Sequence, residues 1–189
     1  YYNKPTQRGL IAHFESVAKS ITVPVVLYNI PGRTGVNFLP ASVKELLDRA
    51  GNVVAMKEAS GDIQQMMELY ELCGERLTLL SGDDNILLPF LSIGGKGVVS
   101  VVSNLLPADV KSVVTCYDRG DIGGARERFY RLLPLCRAMF LETNPIPVKA
   151  AMAMAGYCTD DLRLPLVPVS DENRAKLRKA LLDYGVELK

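Results

Sequence analysis

The sequence has no tryptophan, a single histidine and no apolar run near the roughly 20 residues that a membrane-spanning helix requires. It also lacks an excess of either charge, since the net charge is +1 at pH 7 and no basic block occurs along the chain. We therefore expect neither nucleic acid nor a membrane as a partner. The N-terminus has no signal-peptide character and no initiator Met, so we expect a cytoplasmic protein whose chain begins further upstream.

The four cysteines form no C-x-x-C motif, and only His13 could join them in a ligand set. Because a structural zinc site needs four closely spaced nitrogen or sulfur ligands, the sequence argues against zinc. Buried thiols in a reducing cytoplasm are the expected state of these cysteines. With 48% hydrophobic and 23% charged residues, the composition is that of an ordinary globular protein.

Apolar strand patterns alternate with helix patterns over the first two thirds of the chain. Strands are predicted to begin near residues 25, 53, 77 and 97, after the end of a fifth strand at residues 1–2, and this alternation predicts a parallel sheet. A complete (β/α)₈ barrel needs eight strands and about 250 residues. We therefore predict the C-terminal half of a barrel, with four to five strands, over residues 1–118 and a C-terminal helical domain over residues 119–189.

A lysine ends the apolar run Val53–Met56, which suits a strand buried on both faces of the sheet. The C-terminal ends of barrel strands carry the chemistry, and an apolar wall there disfavours the charged ammonium of Lys57. A free amine beside a carbonyl compound forms a Schiff base. The alternative is an ordinary strand-end lysine that pairs with Glu58 or another nearby acid.

Two further polar residues follow the preceding strand. Tyr28 closes that strand beside the lysine strand, where a phenol can pass a proton to and from a reacting oxygen. Arg33 lies in the Pro/Gly-rich loop 29–35 and offers a planar fork suited to a carboxylate. The alternatives are a buried phenol with one backbone partner for Tyr28 and a surface loop arginine for Arg33.

Several motifs occur together in one order: Y-Y-N-K-P at the start, then Y-N-I-P-G-R-T-G, K-E-A-S-G, S-G-D-D, G-G-K-G-V-V-S-V and N-P-I-P-V-K. Over essentially the whole chain they resemble the dihydrodipicolinate synthase family. The resemblance implies a (β/α)₈ barrel with a C-terminal helical domain, in a homo-oligomer that is a tight dimer or a tetramer of two such dimers. It also implies an enzyme that condenses pyruvate with aspartate semialdehyde to 4-hydroxy-tetrahydrodipicolinate, in lysine and diaminopimelate biosynthesis.

The resemblance assigns catalytic roles to three residues. Lys57 matches the family's Schiff-base lysine, and Tyr28 matches its proton-relaying tyrosine. Tyr2 matches the tyrosine that reaches across the tight dimer interface into the partner's site. These assignments imply a class I aldolase-type mechanism in which the lysine itself is the electrophilic catalyst, so the resemblance implies no metal or organic cofactor.

Substrate-binding roles follow from the same resemblance. Arg33 matches the arginine that recognises the carboxylate of the aldehyde substrate. Gly82 and Val99 match residues that line the pyruvate pocket, Gly82 by its backbone and Val99 by its side chain. Tyr1 matches an aromatic residue near the lysine feedback site of some members.

The family's early G-T-T-G-E segment is absent from this sequence. In the family it supplies a threonine that links the two tyrosines and backbone amides for the pyruvate carboxylate, so we expect these 189 residues alone to have little or no activity. Two other readings stay open: a pyruvate-dependent aldolase like N-acetylneuraminate lyase, and a non-catalytic half-barrel fragment. Arg33 argues against the first, because sialic-acid enzymes place an apolar residue there.

Overall fold

The computed structural model describes residues 2–189, which divide into two compact units. The first, here called the sheet unit, ends at Val99, and the second, the helical unit, comprises Ser100–Lys189. Tyr1, with the strand end and the feedback-site aromatic predicted there, lies outside the described residues, and Tyr2 is not in a strand. The domain boundary expected after residue 118 stays a prediction.

The sheet unit contains one parallel four-stranded sheet, which confirms the predicted α/β class. Its strands lie side by side in chain order: β1 (Val25–Asn29), β2 (Val53–Glu58), β3 (Thr78–Ser81) and β4 (Gly97–Val98). Since all four strands are parallel, their carboxyl ends meet at one edge of the sheet.

The fourth strand is shorter than the apolar run Val98–Val102 suggests. β4 ends at Val98, and a 3₁₀ turn over Val102–Asn104 follows shortly after. The Ser100 hydroxyl accepts a hydrogen bond from the Ser103 backbone N–H at 2.8 Å, which favours a turn instead of a continued strand. β-Branched residues thus predicted a strand that a local serine contact ends early.

Five helices connect or flank the strands: α1 (Gln7–Lys19), α2 (Pro31–Thr34), α3 (Pro40–Arg49), α4 (Ile63–Cys73) and α5 (Leu87–Ser92). Two of them begin at a side chain that caps the helix. The Thr6 side chain accepts from the Gly9 N–H at the start of α1, and Asp62 accepts from two N–H groups at the start of α4. Such caps satisfy donors that have no partner inside the helix.

The core of the sheet unit lies on one side of the sheet. Apolar residues of β1 to β3 pack there against α1, α3, α4 and α5, and the largest fully buried members are Leu27, Leu46, Met56, Met66, Leu69, Leu79 and Phe90. The opposite face is open along β1 in the described chain, with Val26 55% and Tyr28 48% exposed. On β2, Ala55 is the register partner of Val26 and points to that same face, yet it is buried, so burial of β2 on both faces stays a prediction.

The helical unit contains four α-helices: α6 (Pro107–Asp118), α7 (Ile122–Ala138), α8 (Ile146–Met154) and α9 (Asp171–Tyr184). α7 packs against α6 and α9, and α8 packs against α9. Ser170 caps α9 through a hydrogen bond from the Asn173 N–H. Within residues 2–189, no helix is both long and apolar enough to cross a membrane.

Candidate active site

The amine of Lys57 and the phenol ring of Tyr28 meet at the carboxyl edge of the sheet. The two residues are register partners in the β1–β2 ladder, so their side chains leave the same face of neighbouring strands. The Lys57 Nζ lies 3.8 Å from the centroid of the Tyr28 ring, which is within cation–π distance. The predicted juxtaposition of amine and phenol is therefore present, and both side chains reach solvent.

Gly82 directly follows β3 and lies beside Ala59 and the side chain of Lys57. A Cβ at this position would lie 2.5 Å from the Ala59 Cβ and 3.2 Å from the Lys57 Cε. Its backbone N–H donates to the Glu58 carbonyl at 2.8 Å, which holds it against the end of β2. A side chain at residue 82 would thus clash with Ala59 and crowd the lysine stem.

Val99 lies just beyond β4, at the same edge of the sheet. Its N–H donates to the Ser81 carbonyl at 2.8 Å, which continues the ladder by one residue past the strand. Its side chain is exposed, as expected for a residue that could line an open pocket. The four strand ends thus place Tyr28, Lys57, Gly82 and Val99 in succession along one edge.

Arg33 was expected in a loop, but it lies in the short helix α2. Pro31 at the first helical position has a preset φ, and Gly35 ends the helix in the left-handed conformation with φ of 70°. Arg33, Tyr28 and His13 border a cavity of about 590 Å³. The guanidinium side chain is thus carried by a fixed turn beside the tyrosine, not by a mobile loop.

Tyr2 is not part of this cluster in the described chain. Its side chain is 86% exposed, and no contact joins it to Tyr28 or Lys57. An isolated exposed phenol is compatible with the resemblance, which assigns Tyr2 to the site of a second subunit. Its catalytic role stays a prediction.

Sequence reasoning missed a buried polar cluster behind the reactive face. Glu58 is fully buried and accepts hydrogen bonds from Asn29 Nδ2 at 2.9 Å and from Gln65 Nε2 at 3.3 Å. It forms no ion pair with Lys57, which rules out the simple lysine–glutamate pair considered above. Alternation along the strands could have indicated this cluster. Asn29 follows Tyr28 and Glu58 follows Lys57, so both point to the opposite face of the sheet, which is buried.

The acidic turn after β3 has a structural explanation. The Asp83 carboxylate accepts from the backbone N–H and the side-chain amide of Asn85, both at 2.8 Å, and so caps a 3₁₀ helix. Within residues 2–189, no group of three or more His, Cys, Asp or Glu side chains is placed to hold a metal ion. The chemistry that this edge offers is that of an amine, a phenol and a guanidinium.

Comparison with known proteins gives matches along almost the whole chain. The model of the Dihydrodipicolinate synthetase family matches residues 1–183. The 4-hydroxy-tetrahydrodipicolinate synthase of Syntrophobacter fumaroxidans is 50% identical over 187 residues, which cover 98% of this chain and 64% of that protein. That of Endomicrobium trichonymphae is 49% identical over 186 residues, with 98% and 64% covered.

Solved structures agree in backbone as well as in sequence. The dihydrodipicolinate synthase of Aquifex aeolicus matches with a TM-score of 0.97 at 44% identity, covering 100% of this chain and 64% of that chain. The enzyme of Thermotoga maritima matches with a TM-score of 0.96 at 41% identity, covering 99% and 64%.

The described chain spans about 64% of the length of the curated relatives that it matches. Within that span the family model covers all but the last residues, and the identities lie far above the level at which only the fold is shared. The motifs at residues 28–35 and 57–61, which gave the first indication, lie inside the matched region. The chain therefore belongs to the dihydrodipicolinate synthetase family.

Proposed function

We propose that these residues are part of a 4-hydroxy-tetrahydrodipicolinate synthase, a Schiff-base lyase that condenses pyruvate with L-aspartate-4-semialdehyde in lysine and diaminopimelate biosynthesis. In this proposal the four-stranded sheet is the C-terminal half of a (β/α)₈ barrel, followed by the C-terminal helical domain. The active protein is a cytoplasmic homo-oligomer, and these 189 residues alone have little activity, because the G-T-T-G-E segment is not among them.

One observation carries the proposal: the Lys57 amine lies against the Tyr28 ring at the carboxyl edge of a parallel sheet, on the face that no helix of residues 2–189 covers. Gly82 leaves space beside the lysine stem, since a Cβ there would lie 3.2 Å from the Lys57 Cε. An amine with a phenol in reach has both the nucleophile and the proton carrier that imine chemistry requires.

In the first half-reaction, the Lys57 Nζ attacks the ketone carbon of pyruvate and forms a C–N bond. The carbinolamine loses water to give an iminium, and Tyr28 carries the proton that the departing oxygen requires. The iminium withdraws electrons, so the Tyr28 oxygen, which has given up its proton, takes a proton from the methyl group and an enamine forms. Gly82 and Val99 border the space that the bound pyruvate occupies.

In the second half-reaction, the enamine carbon attacks the aldehyde carbon of aspartate semialdehyde, whose carboxylate is bound by the guanidinium of Arg33. The aldehyde oxygen takes up the proton that Tyr28 returns. The amine of the new adduct then displaces Lys57 by transimination, which closes the ring and frees the lysine. Tyr2 of a second subunit completes the proton relay.

Borohydride trapping tests the first half-reaction in the natural protein that contains these residues. With pyruvate and borohydride, we expect one covalent adduct per chain, located on Lys57 by peptide mass spectrometry. Lys57→Met should lose the adduct completely, whereas Lys44→Met, which removes an exposed lysine of α3, should keep it. A folded natural protein without an adduct at Lys57 would reject the proposal.

Exchange of Arg33 tests the identity of the aldehyde. Arg33→Leu should leave pyruvate trapping intact while the KM for aspartate semialdehyde rises, because one charge-assisted bidentate contact is worth about 1.5–3 kcal/mol, or roughly 10- to 150-fold. Unchanged use of aspartate semialdehyde by this variant would remove Arg33 from substrate recognition. Efficient use of N-acetylmannosamine by the unmodified protein would favour the sialic-acid reading instead.

A further inference from the structure

Four side chains form a closed hydrogen-bonded ring behind the Lys57–Tyr28 pair. Asn29 Nδ2 donates to Glu58 Oε2 at 2.9 Å and to Asn37 Oδ1 at 2.8 Å. Gln65 Nε2 donates to the same two oxygens, to Glu58 at 3.3 Å and to Asn37 at 3.1 Å. Asn37 Nδ2 closes the ring by donating to Gln65 Oε1 at 2.7 Å.

Every partner of the Glu58 carboxylate is a donor. Its second oxygen, Oε1, accepts from the Ser60 backbone N–H at 2.6 Å. The orientation of the Asn29 amide is fixed as well, because its Oδ1 accepts from the Phe38 N–H at 3.0 Å and its Nδ2 therefore faces Glu58. An acceptor is thus required at both Glu58 oxygens, and an amide at residue 58 would direct N–H groups at other N–H groups.

The ring connects segments that are far apart along the chain. Asn29 ends β1, Glu58 ends β2 and Gln65 lies in α4, while Asn37 belongs to the segment that leads from α2 to α3. Gln7 at the start of α1 holds that segment from outside, because its side chain donates to the Asn37 carbonyl at 2.8 Å and accepts from the Leu39 N–H at 3.0 Å.

The ring lies directly behind the reactive pair. Asn29 and Glu58 are register partners in the β1–β2 ladder, one residue beyond the partners Tyr28 and Lys57. Alternation along a strand puts the first pair on the helix-covered face and the second pair on the open face. A bond between Asn29 and Glu58 therefore fixes the spacing of the two strand ends from which the phenol and the amine project.

We propose that Glu58 is a positioning residue for the reaction: through its bonds to Asn29, Gln65 and Ser60, it holds the Lys57 amine and the Tyr28 phenol at their working separation. This inference rests on the proposed function, since it assumes that Lys57 forms the imine. Glu58 itself does not contact substrate, because its side chain is fully buried on the other face of the sheet.

The sharpest test reverses the polarity of the ring. Glu58→Gln alone puts an amide nitrogen against donors, and Asn29→Asp alone puts a carboxylate oxygen against acceptors. In the double variant Asn29→Asp/Glu58→Gln, rotation of the Asn37 and Gln65 amides by half a turn restores every bond in the opposite direction. The double variant contains the same kinds of group as the original, in exchanged places.

The measured quantity is the rate of imine formation on Lys57 per folded chain at saturating pyruvate, in the natural protein. Misplacement by about 1 Å can cost about 10²-fold in rate, so we expect each single variant to be roughly 10- to 100-fold slower, with little change in the pyruvate concentration at half saturation. In the double variant, the rate of imine formation should return to within about threefold of the original rate. A difference of that size is close to the error with which the effects of independent substitutions add. Glu68→Gln, at an exposed position of α4, is the matched control and should change nothing.

The outcomes separate this inference from the proposed function. No adduct in the unmodified protein would reject the function itself. An adduct in the unmodified protein, with equal rates per folded chain in all variants, would overturn only the positioning role, as would a folded double variant that stays as slow as the single ones. Should the single variants not fold, Glu58→Asp keeps the charge and draws it back by one methylene, and a rate equal to that of the unmodified protein would likewise overturn the proposal.

Discussion

The two units bury different kinds of group. All buried polar or charged residues that the structure describes belong to the sheet unit, namely Asn29, Ser42, Glu58, Gln65, Ser81 and Asp84. In the helical unit the described buried residues are hydrophobic or small, such as Leu135, Leu177 and Leu181. Buried polar groups are costly unless they are hydrogen-bonded, so their concentration in one unit indicates that geometry, not stability alone, is maintained there.

Polar contacts of the helical unit lie nearer its surface and tie helix ends together. Glu142 accepts from the Ser170 N–H at 2.9 Å, from the Ser170 hydroxyl at 2.7 Å and from Asn173 Nδ2 at 3.0 Å. These bonds, led by that from Asn173, lower the pKa of Glu142 below its usual value. The same kinds of residue therefore form a buried ring behind the Lys57–Tyr28 pair in one unit and tie helix ends together in the other.

The largest expected effect is on the stability of the helical unit. Leu181→Ala removes a fully buried side chain from α9 and should cost about 2–5 kcal/mol of unfolding free energy, whereas Leu182→Ala, at a position 47% exposed, should cost about 0.5 kcal/mol or less. Urea unfolding of the natural protein measures both. Neither variant should change the rate of imine formation per folded chain. A slower rate in folded Leu181→Ala would show that packing in the helical unit affects Lys57 in the sheet unit.

The next effect is on the reactive edge of the sheet unit. Gly82→Ala places a methyl group against the Ala59 Cβ and the Lys57 Cε, so imine formation should slow by roughly 10- to 100-fold, or about 1.4–2.7 kcal/mol of activation free energy. Gly51→Ala is the control, because a Cβ there meets nothing within 4 Å. Stopped-flow trapping with pyruvate distinguishes the two variants, and equal rates would show that the space at Gly82 has no bearing on the lysine.

A smaller effect concerns Tyr184 of the helical unit. Burial and a hydrogen bond to Asp109 Oδ1 at 2.8 Å raise its pKa from 10.0 to about 12. Because the fold favours the protonated phenol, this stabilisation is complete below pH 10 and is lost as the pH rises toward about 12. Tyr184→Phe should cost about 0.5–1.5 kcal/mol near neutral pH.

Urea midpoints at pH 9 and pH 11.5 measure this effect, and the difference between the original protein and Tyr184→Phe should shrink at the higher pH. Tyr130→Phe serves as the control, since that ring is exposed in the same unit and should show no such change. A constant difference across the alkaline range would mean that the Tyr184–Asp109 contact does not hold the proton.

The smallest effect is on cysteine reactivity. Burial raises the pKa of the Cys73 thiol in α4, so little thiolate forms, whereas Cys158 of the helical unit is exposed. A maleimide should label Cys158 first and Cys73 only on unfolding, with little change in stability after the first addition. Peptide mass spectrometry over time gives the order, and early labelling of Cys73 would show that the sheet unit opens more readily than its packing implies.

Elements with complete local signals were predictable to the residue. β1 has an apolar run after Pro24 and begins at Val25, as predicted, and α9 has Ser170 as its N-cap and acidic residues in its first turn, which mark its start. β4 was overestimated, because a valine-rich run predicts a strand whether or not a neighbouring turn interrupts it. Local sequence cannot report that interruption, which depends on how Ser100 bonds in the folded chain.

The site was predictable in part for a similar reason. Tyr28 and Lys57 end strands, and parallel strands bring their ends together, so their proximity followed from the pattern. The partners of Glu58 did not follow, because Asn29 and Gln65 reach it from different elements, and a buried glutamate resembles an exposed one in sequence. The resemblance to a family implied roles for Tyr28 and Lys57, but it did not indicate the hydrogen-bonded ring around Glu58 that lies behind them.

The alternation of side chains along β2 also favours the observed register of β1 and β2 over a register shifted by one residue. A shift of one residue would carry Lys57 to the place of Glu58, where the side-chain amides of Asn29 and Gln65 donate. An ammonium group there would face those donors, and a carboxylate would emerge beside the Tyr28 ring. Pairing of β1 and β2 in the shifted register is thus disfavoured on both faces of the sheet, so the polar side chains at the strand ends also specify its register.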